Sequence, residues 1–467
     1  EWEFEFDFGN SGEDRKFYQR MELNDRILLP FCPESRLSGI GHLDFIPAVW
    51  YRRTLVLKKD LKEDILLHFG AADYWCVVWL NGKKAGEHRG GFSSFVIDIT
   101  ELAVEGENNL VVCVRDDGRS GRQPRGKQSA SYQSRLCDYT RTTGIWQTVW
   151  LEYVPKSRIC QLKYFPNLQE ASLTIQALVR GSGRLAAEVF YEGVPCGKAS
   201  AESRGGNVFL TIPLSELHLW EPGKGELYSL KLTFGRDVVD SYFGMREIRI
   251  EGEKVLINGK SVFQRLVLDQ GFYPEGIYTA PEDADLERDI RISMEAGFNG
   301  ARLHQKVFEP RFLYHCDRLG YLVWEEQGNW GLDYSAPESL GIFLPEWMEI
   351  MERDFNHPSI IGWCPFNETW DYEGRRQEDS LLRIVWQMTK RFDPTRPCID
   401  TSGNFHVVTD IYDLHDYEQD PEAMEKRYAD FKAGGKLPDT FPHRHTPVEG
   451  IPVFISEFGG IRWDMGD

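Results

Sequence analysis

The chain has no apolar run long enough to cross a bilayer, so no membrane-spanning helix is expected. Its nine cysteines are scattered and none forms a CxxC pair, so neither a zinc site nor a disulfide framework is signalled. Free thiols in a reducing, cytoplasmic compartment are the expectation. Basic residues are the minority charge, 54 against 73 acidic, for a net charge of −19. That argues against nucleic acid or an anionic membrane as partner. No signal peptide is visible. The chain opens inside a strand-like run (Trp2, Phe4, Phe6, Phe8), so this absence carries little weight. No cofactor is expected; a structural or site-adjacent cation and a homo-oligomer are left open.

At 467 residues the chain is too long for one ordinary domain. Its hydrophobic content of 41% is enough for several well-packed cores. The fourteen tryptophans suit stacking on sugar rings, or the cores of β-domains. Residues 1–155 read as all-β, with short apolar runs at 50–57, 64–69, 74–80, 94–99, 109–114 and 148–154. Asn81-Gly82 is a strong hairpin signal because both residues tolerate positive φ. A two-sheet sandwich or jelly roll follows. Residues 116–143 are polar and rich in Gly, Ser and Arg. They read as a long loop, which in a compact domain is usually functional or mobile. Residues 156–250 alternate apolar and polar at 172–179, 185–191, 208–212 and 229–234, as in a small immunoglobulin-like sandwich. A spacer or scaffold is the expected role for this part.

From about residue 251 to 467 the pattern becomes strand–helix alternation, which implies a parallel sheet covered by helices. Strands are expected at 263–268, 300–303, 321–324, 360–366, 398–401, 411–414 and 453–455. Helices are expected at 281–296, 310–319, 345–355, 377–392 and 421–433. Pro281, Pro310, Pro345 and Pro421 stand where a first-turn proline would. Gly297 and Gly320 look like C-terminal stops. The count gives seven strands of a (β/α)₈ TIM barrel, which needs an eighth to close, so the end of the barrel is expected to be missing.

Two strand ends carry the chemistry. Ile455-Ser456-Glu457-Phe458-Gly459-Gly460 ends the seventh strand, and Asn367-Glu368 ends the fourth. In such a barrel the C-terminal strand ends open into the active site. Either glutamate alone could be a surface residue. Two in matched contexts suit acid/base and nucleophilic work on a glycosidic bond.

These residues also carry a resemblance. Leu29-Pro30-Phe31-Cys32-Pro33-Glu34-Ser35 and Thr143-Gly144-Ile145-Trp146-Gln147-Thr148-Val149-Trp150 resemble the sugar-binding domain of glycoside hydrolase family two. Leu219-Trp220-Glu221-Pro222 and Phe243-Gly244-Met245-Arg246 are similar to the close of its immunoglobulin-like domain. Asp354-Phe355-Asn356-His357-Pro358-Ser359-Ile360, running on to Asn367-Glu368, looks like its barrel. The resemblance covers nearly the whole chain. It implies a retaining enzyme that cleaves terminal β-linked sugars, with Glu368 as acid/base, Glu457 as nucleophile and Asn367 on the sugar 2-hydroxyl. Retention needs the two carboxyls about 5–5.5 Å apart, one ionised and one protonated.

Arg302, at the end of strand two, is placed to keep Glu457 ionised, and Tyr417 to donate to it. Their plainer readings are a surface ion pair and a packed loop tyrosine. His304 and His415 follow barrel strands and are candidates for sugar-hydroxyl contacts. Asp269 ends strand one and could grip a pair of hydroxyls; it could equally be a loop cap. Glu326 ends strand three, with Glu325 beside it leaving the register open. Trp330, Trp370 and Trp463 could wall the sugar site. The segment Leu268-Asp269-Gln270-Gly271-Phe272 and the short Arg302-Leu303-His304 spacing depart from the usual family pattern, inside the sugar pocket. The expected activity is an exo-acting β-galactosidase. β-Glucuronidase or another family-two β-glycosidase or arabinosidase is the alternative, and a non-catalytic carbohydrate-binding protein is the alternative of another class. The expected partner is an oligosaccharide or β-glycoside.

Overall fold

The computed structural model describes residues 1–369, 372–403, 405–438, 440 and 448–459. The sheets of the first part are antiparallel. A six-stranded sheet runs in the order Asp25–Ile27, Trp2–Phe6, Ala48–Leu57, Gly106–Arg115, Trp75–Leu80, Lys83–Arg89. A three-stranded sheet, Val149–Pro155, Glu63–Phe69 and Phe95–Asp98, packs on it. Alternation does the sorting. In Phe95–Asp98 the first and third residues are buried and the second and fourth exposed. Asn81 and Gly82 take φ of 53° and 75°, and turn the chain between Trp75–Leu80 and Lys83–Arg89 as expected.

The second part pairs a three-stranded antiparallel sheet (Arg158–Asn167, Ser172–Arg180, Gly206–Pro213) with a four-stranded one (Val194–Ser203, Gly183–Tyr191, Tyr228–Phe234, Asp237–Phe243). Leu173, Ile175, Leu185, Val189, Leu210, Leu230 and Leu232 fill the core between them.

Parallel strands then alternate with helices. β1 (Leu266–Asp269), β2 (Gly300–Leu303), β3 (Leu322–Glu326) and β4 (Ile360–Cys364) form one parallel sheet. After Pro365, the pair Phe366–Asn367 continues from β4 and pairs in parallel with β5 (Thr401–Ser402). β6 (Tyr412–Asp416) pairs in parallel with β7 (Val453–Phe458). The helices are α1 (Asp283–Glu295), α2 (Pro310–Leu319), α3 (Leu340–Asp354), α4 (Asp379–Phe392) and α5 (Pro421–Lys432). Gly297 and Gly320 do end α1 and α2, with φ of 93° and 68°.

Two proline expectations fail. Pro345 lies inside α3, because the helix begins at Leu340. Pro281 precedes α1, whose N-cap is Glu282. Pro310 and Pro421 do start their helices. The strand expected at 398–401 shrinks to β5 and one bridge between Trp363 and Cys398, because Asp400 is turned instead to the loop nitrogens of Val407 and Val408.

Several motif residues turn out to join the parts. Arg246 is buried and donates to the carbonyls of Pro358 (2.8 Å) and Ile360 (2.7 Å), clamping the second part onto the entry to β4. Asn356 answers from the barrel side, bonding Leu162 O and Tyr164 N at 2.8 and 2.9 Å. The first part docks on the barrel through Phe92, whose nitrogen donates to Glu346 Oε1 at 2.7 Å, and through Trp146, packed on Tyr278. The long polar loop crosses as well. Arg125 N and Gly126 N donate to Trp330 O at 2.7 and 3.1 Å.

Candidate active site

The C-terminal ends of β2, β3, β4, β6 and β7 converge on a buried guanidinium. Arg302 is 1% exposed. One of its terminal nitrogens donates to Glu326 and, more weakly, to Asn367 Oδ1 at 3.4 Å; the other donates to Glu457. Glu457 is held from its other oxygen by the Tyr417 hydroxyl. Burial raises the carboxyl's pKa, but the charges of His415, Arg302 and His304 outweigh it and leave Glu457 below the ordinary glutamate range. Burial pulls Arg302 down, and Glu326 and Glu457 more than restore it, so the guanidinium keeps its proton.

Strand parity settles which of the paired glutamates faces the cavity. Glu326 points in, bonded by Arg302, by His304 Nδ1 at 2.9 Å and by Gln305 N at 3.0 Å. Glu325 points the other way, towards the charges of Asp354 and Arg353, and burial drives its carboxyl well up.

Glu368 follows the Phe366–Asn367 pair with φ of 42°, a strained value for a residue with a side chain. Its Oε1 pairs with His415 Nδ1 at 2.8 Å. His415 Nε2 lies 2.9 Å from Ser402 Oγ and 3.5 Å from Glu457 Oε1. One imidazole thus spans the two carboxylates, and an oxygen of Glu368 lies within 4.8 Å of one of Glu457. Burial lowers the pKa of His415, yet Glu457 and Glu368 raise it overall. His304 goes the other way, pushed well down by burial. Each histidine thus gives its Nδ1 to a carboxylate, Glu326 for His304 and Glu368 for His415.

Glu368, His415 and Glu457 also have ligand atoms close enough to converge on a cation. The donor set suits one poorly. Both oxygens of Glu457 are engaged, one of them by a fixed guanidinium that would repel the ion.

Asn367 is fully buried. Its main-chain nitrogen donates to Asn329 Oδ1 at 2.8 Å, while its Nδ2 has no partner among the described residues. Trp330 closes over it, with the indole Nε1 3.3 Å from Asn367 O. Asp269 is not drawn into this cluster. Its carboxylate accepts from Gly271 N at 3.0 Å, the loop-capping alternative. Trp370 and Trp463 lie outside the described residues. Gln305 and Asn329 went unnoticed in the sequence. Both follow strand ends, β2 and β3, and applying the strand-end rule to every strand would have found them.

The sequence matches two family descriptions: "Glycosyl hydrolases family 2, sugar binding domain" over residues 42–155, and "Glycosyl hydrolases family 2, TIM barrel domain" over 248–438. A β-glucuronidase of Paenibacillus borealis is 25% identical over 98% of this chain and 82% of its own length. A β-galactosidase of Thermoanaerobacter pseudethanolicus is 26% identical over 79% of this chain and 50% of its own. The solved β-glucuronidase of Ruminococcus gnavus shares the fold with a TM-score of 0.79, at 20% identity over 93% of this chain and 80% of that one.

Gly403 gives the geometry a test. It has φ of +92°, and a Cβ there would meet His415 Cε1 at 2.7 Å, His415 Nδ1 at 2.8 Å and Glu368 Cγ at 3.2 Å. The imidazole is boxed in and cannot yield. Gly403→Ala is expected to lower kcat/KM roughly a hundred-fold, the scale of a misplaced reacting group, with far-ultraviolet circular dichroism unchanged. Native kinetics in this variant would show that the Glu368–His415 contact has no bearing on turnover.

Proposed function

Because the chain belongs to glycosyl hydrolase family 2, and is a glycosidase on that ground, we propose that it is an exo-acting, retaining β-glycosidase whose preferred terminal sugar is a β-linked uronic acid. Glu457 is the nucleophile and Glu368 the general acid/base. One observation carries the mechanism: the two carboxylates approach within 4.8 Å while only Glu457 is gripped by Arg302. Retaining enzymes hold their carboxyls about 5–5.5 Å apart, and inverting ones about 6.5–9.5 Å to admit a water.

The roles follow from the environments. Glu457, ionised by Arg302 and steadied by Tyr417, attacks the anomeric carbon. Glu368, with more solvent contact, gives its proton to the departing glycosidic oxygen. The glycosyl ester on Glu457 then yields to water, from which Glu368 takes the proton back. Asn367 Nδ2, buried and without a partner, is a donor for the sugar 2-hydroxyl. Its orientation is set by Arg302, which bonds Oδ1. A contact that tightens as the oxocarbenium-like charge grows acts on kcat more than on KM.

The uronic-acid reading rests on the β-glucuronidases among the relatives, one of them aligned over nearly the whole chain. The expected β-galactosidase has a named relative too, aligned over less of this chain. A panel of nitrophenyl β-glycosides decides between them. The glucuronide is expected to show the highest kcat/KM; a faster galactoside would restore the galactosidase reading. On the best substrate Glu457→Gln should abolish turnover with the fold intact. Glu368→Ala should keep activity on good leaving groups, rescued by azide. Near-normal turnover in Glu457→Gln would refute the assignment.

The pH profile follows with a definite sign. Glu457 must be ionised, and its pKa sits below the ordinary glutamate value, so the acid limb of kcat/KM should lie below the range of an ordinary glutamate. Arg302→Gln removes one of the charges that lower that pKa, with burial still raising it and His415 still lowering it. The limb should then move to higher pH, with Arg302→Lys in between. An unmoved limb would mean that Glu457 does not set it.

A further inference from the structure

Two lysines are buried near the barrel's catalytic face, and they differ in one respect. Lys306 is satisfied: its Nζ donates to Gly271 O at 2.8 Å and Tyr278 O at 2.6 Å, with Glu309 at 3.8 Å. Lys127 is not. It comes from the long polar loop of the first part and is 6% exposed. Among the described residues its ammonium makes no hydrogen bond and no ion pair within 4.0 Å. It stands over the Trp330 ring, 4.9 Å from the centroid.

The backbone holds it there. Lys127 O accepts from Tyr139 N at 2.7 Å, and Gly126 N bonds Trp330 O at 3.1 Å. A Cβ at Gly126 would run into Gln305 O, so the loop lies directly on the barrel. Gln128 Nε2 anchors the far side on Asp73 Oδ2 at 2.6 Å. Trp330, in turn, touches Asn367 O, and its ring is 6.3 Å from that of His304. The ammonium therefore stands at the wall of the sugar pocket. Asp138, on the same loop, feels its charge but lies beyond ion-pair distance, with Oδ1 buried and unpartnered.

The Lys127 ammonium has no hydrogen-bond or ion-pair partner among the described residues, although its tip keeps some contact with water. A cation–π contact returns only about 0.5–2 kcal/mol. A ligand oxygen would supply the missing partner. Resting on the glycosidase reading above, we infer that Lys127 is a substrate-binding residue, carried into the pocket by the N-terminal part, that holds an oxygen of the terminal sugar. A carboxylate is the oxygen group that an ammonium without a protein partner selects most strongly, which makes Lys127 a determinant of preference for uronides over neutral glycosides.

The test compares wild type, Lys127→Met and Lys127→Arg on nitrophenyl β-D-glucuronide and β-D-glucoside, which differ only in the carboxylate. Binding of D-glucuronic acid and D-glucose is measured by titration calorimetry, which needs no turnover. Lys127→Met should cut kcat/KM on the glucuronide about a hundred-fold, mainly through KM, and on the glucoside less than about five-fold. Affinity for glucuronic acid should fall at least ten-fold, and Lys127→Arg should recover part of it. Equal losses on both sugars would support the contact and assign it to a hydroxyl. Unchanged kinetics and unchanged affinities in Lys127→Met, with Glu457-dependent turnover intact, would overturn the inference and leave the glycosidase reading standing. If no glycoside is cleaved by the wild type, that reading fails, and the calorimetry alone decides Lys127. If Lys127→Met does not fold, Lys127→Arg and Lys127→Gln are titrated in its place, and native affinity in both would overturn the inference.

Discussion

A single buried guanidinium organises the site. Arg302 has no solvent to fall back on, so its charge must be met by protein. It is met from β3 by Glu326 and from β7 by Glu457, with Asn367 on the edge of the fork. A fork of fixed, planar donors dictates where those oxygens lie, which a lysine's point charge would not. Loss of either carboxylate would leave a buried charge short of a partner, at a cost of about 3–5 kcal/mol. The geometry that keeps Glu457 ionised is therefore the geometry that holds the strand ends together.

Around that fork the surrounding parts work as a frame. Arg246 and Asn356 tie the second part to the segment that enters β4, the strand leading to Asn367 and Glu368. The first part does more than brace. Its loop reaches over the cavity, bonds the backbone at Trp330 and brings in Lys127. A pocket built from two parts of the chain can change its sugar preference by changing the loop while the carboxylates stay put.

The approach of Glu368 and Glu457 was legible in the sequence because both follow strand ends, and in a parallel barrel those ends converge. Arg302 and Tyr417 were legible for a related reason: Arg302 stands near the end of β2 and Tyr417 just past β6, on the face where β7 ends, and β6 pairs with β7. Other features depend on information that one strand does not contain. Glu325 and Glu326 are equivalent until the register of β3 against β2 and β4 is known, because a one-residue slip swaps the faces. Pro345 reads as a helix start, but packing of Phe343 and its neighbours carries α3 back to Leu340. His304 and His415 sit where expected, but which carboxylate each Nδ1 meets, Glu326 or Glu368, depends on how strand ends far apart in the chain converge. Lys127 was invisible: nothing local says that a loop in the first part lies against a barrel that begins more than a hundred residues later.

The central claim is that Glu457, held ionised by Arg302, forms the covalent bond to the sugar. The most direct test is to trap that bond with a 2-deoxy-2-fluoro glycoside of the preferred sugar, whose ester is slow to hydrolyse, and to map the label by peptide mass spectrometry. The account predicts one adduct per active site, on the peptide that carries Glu457. A label on Glu368 or Glu326, or full activity with no covalent intermediate and inverted product, would contradict it.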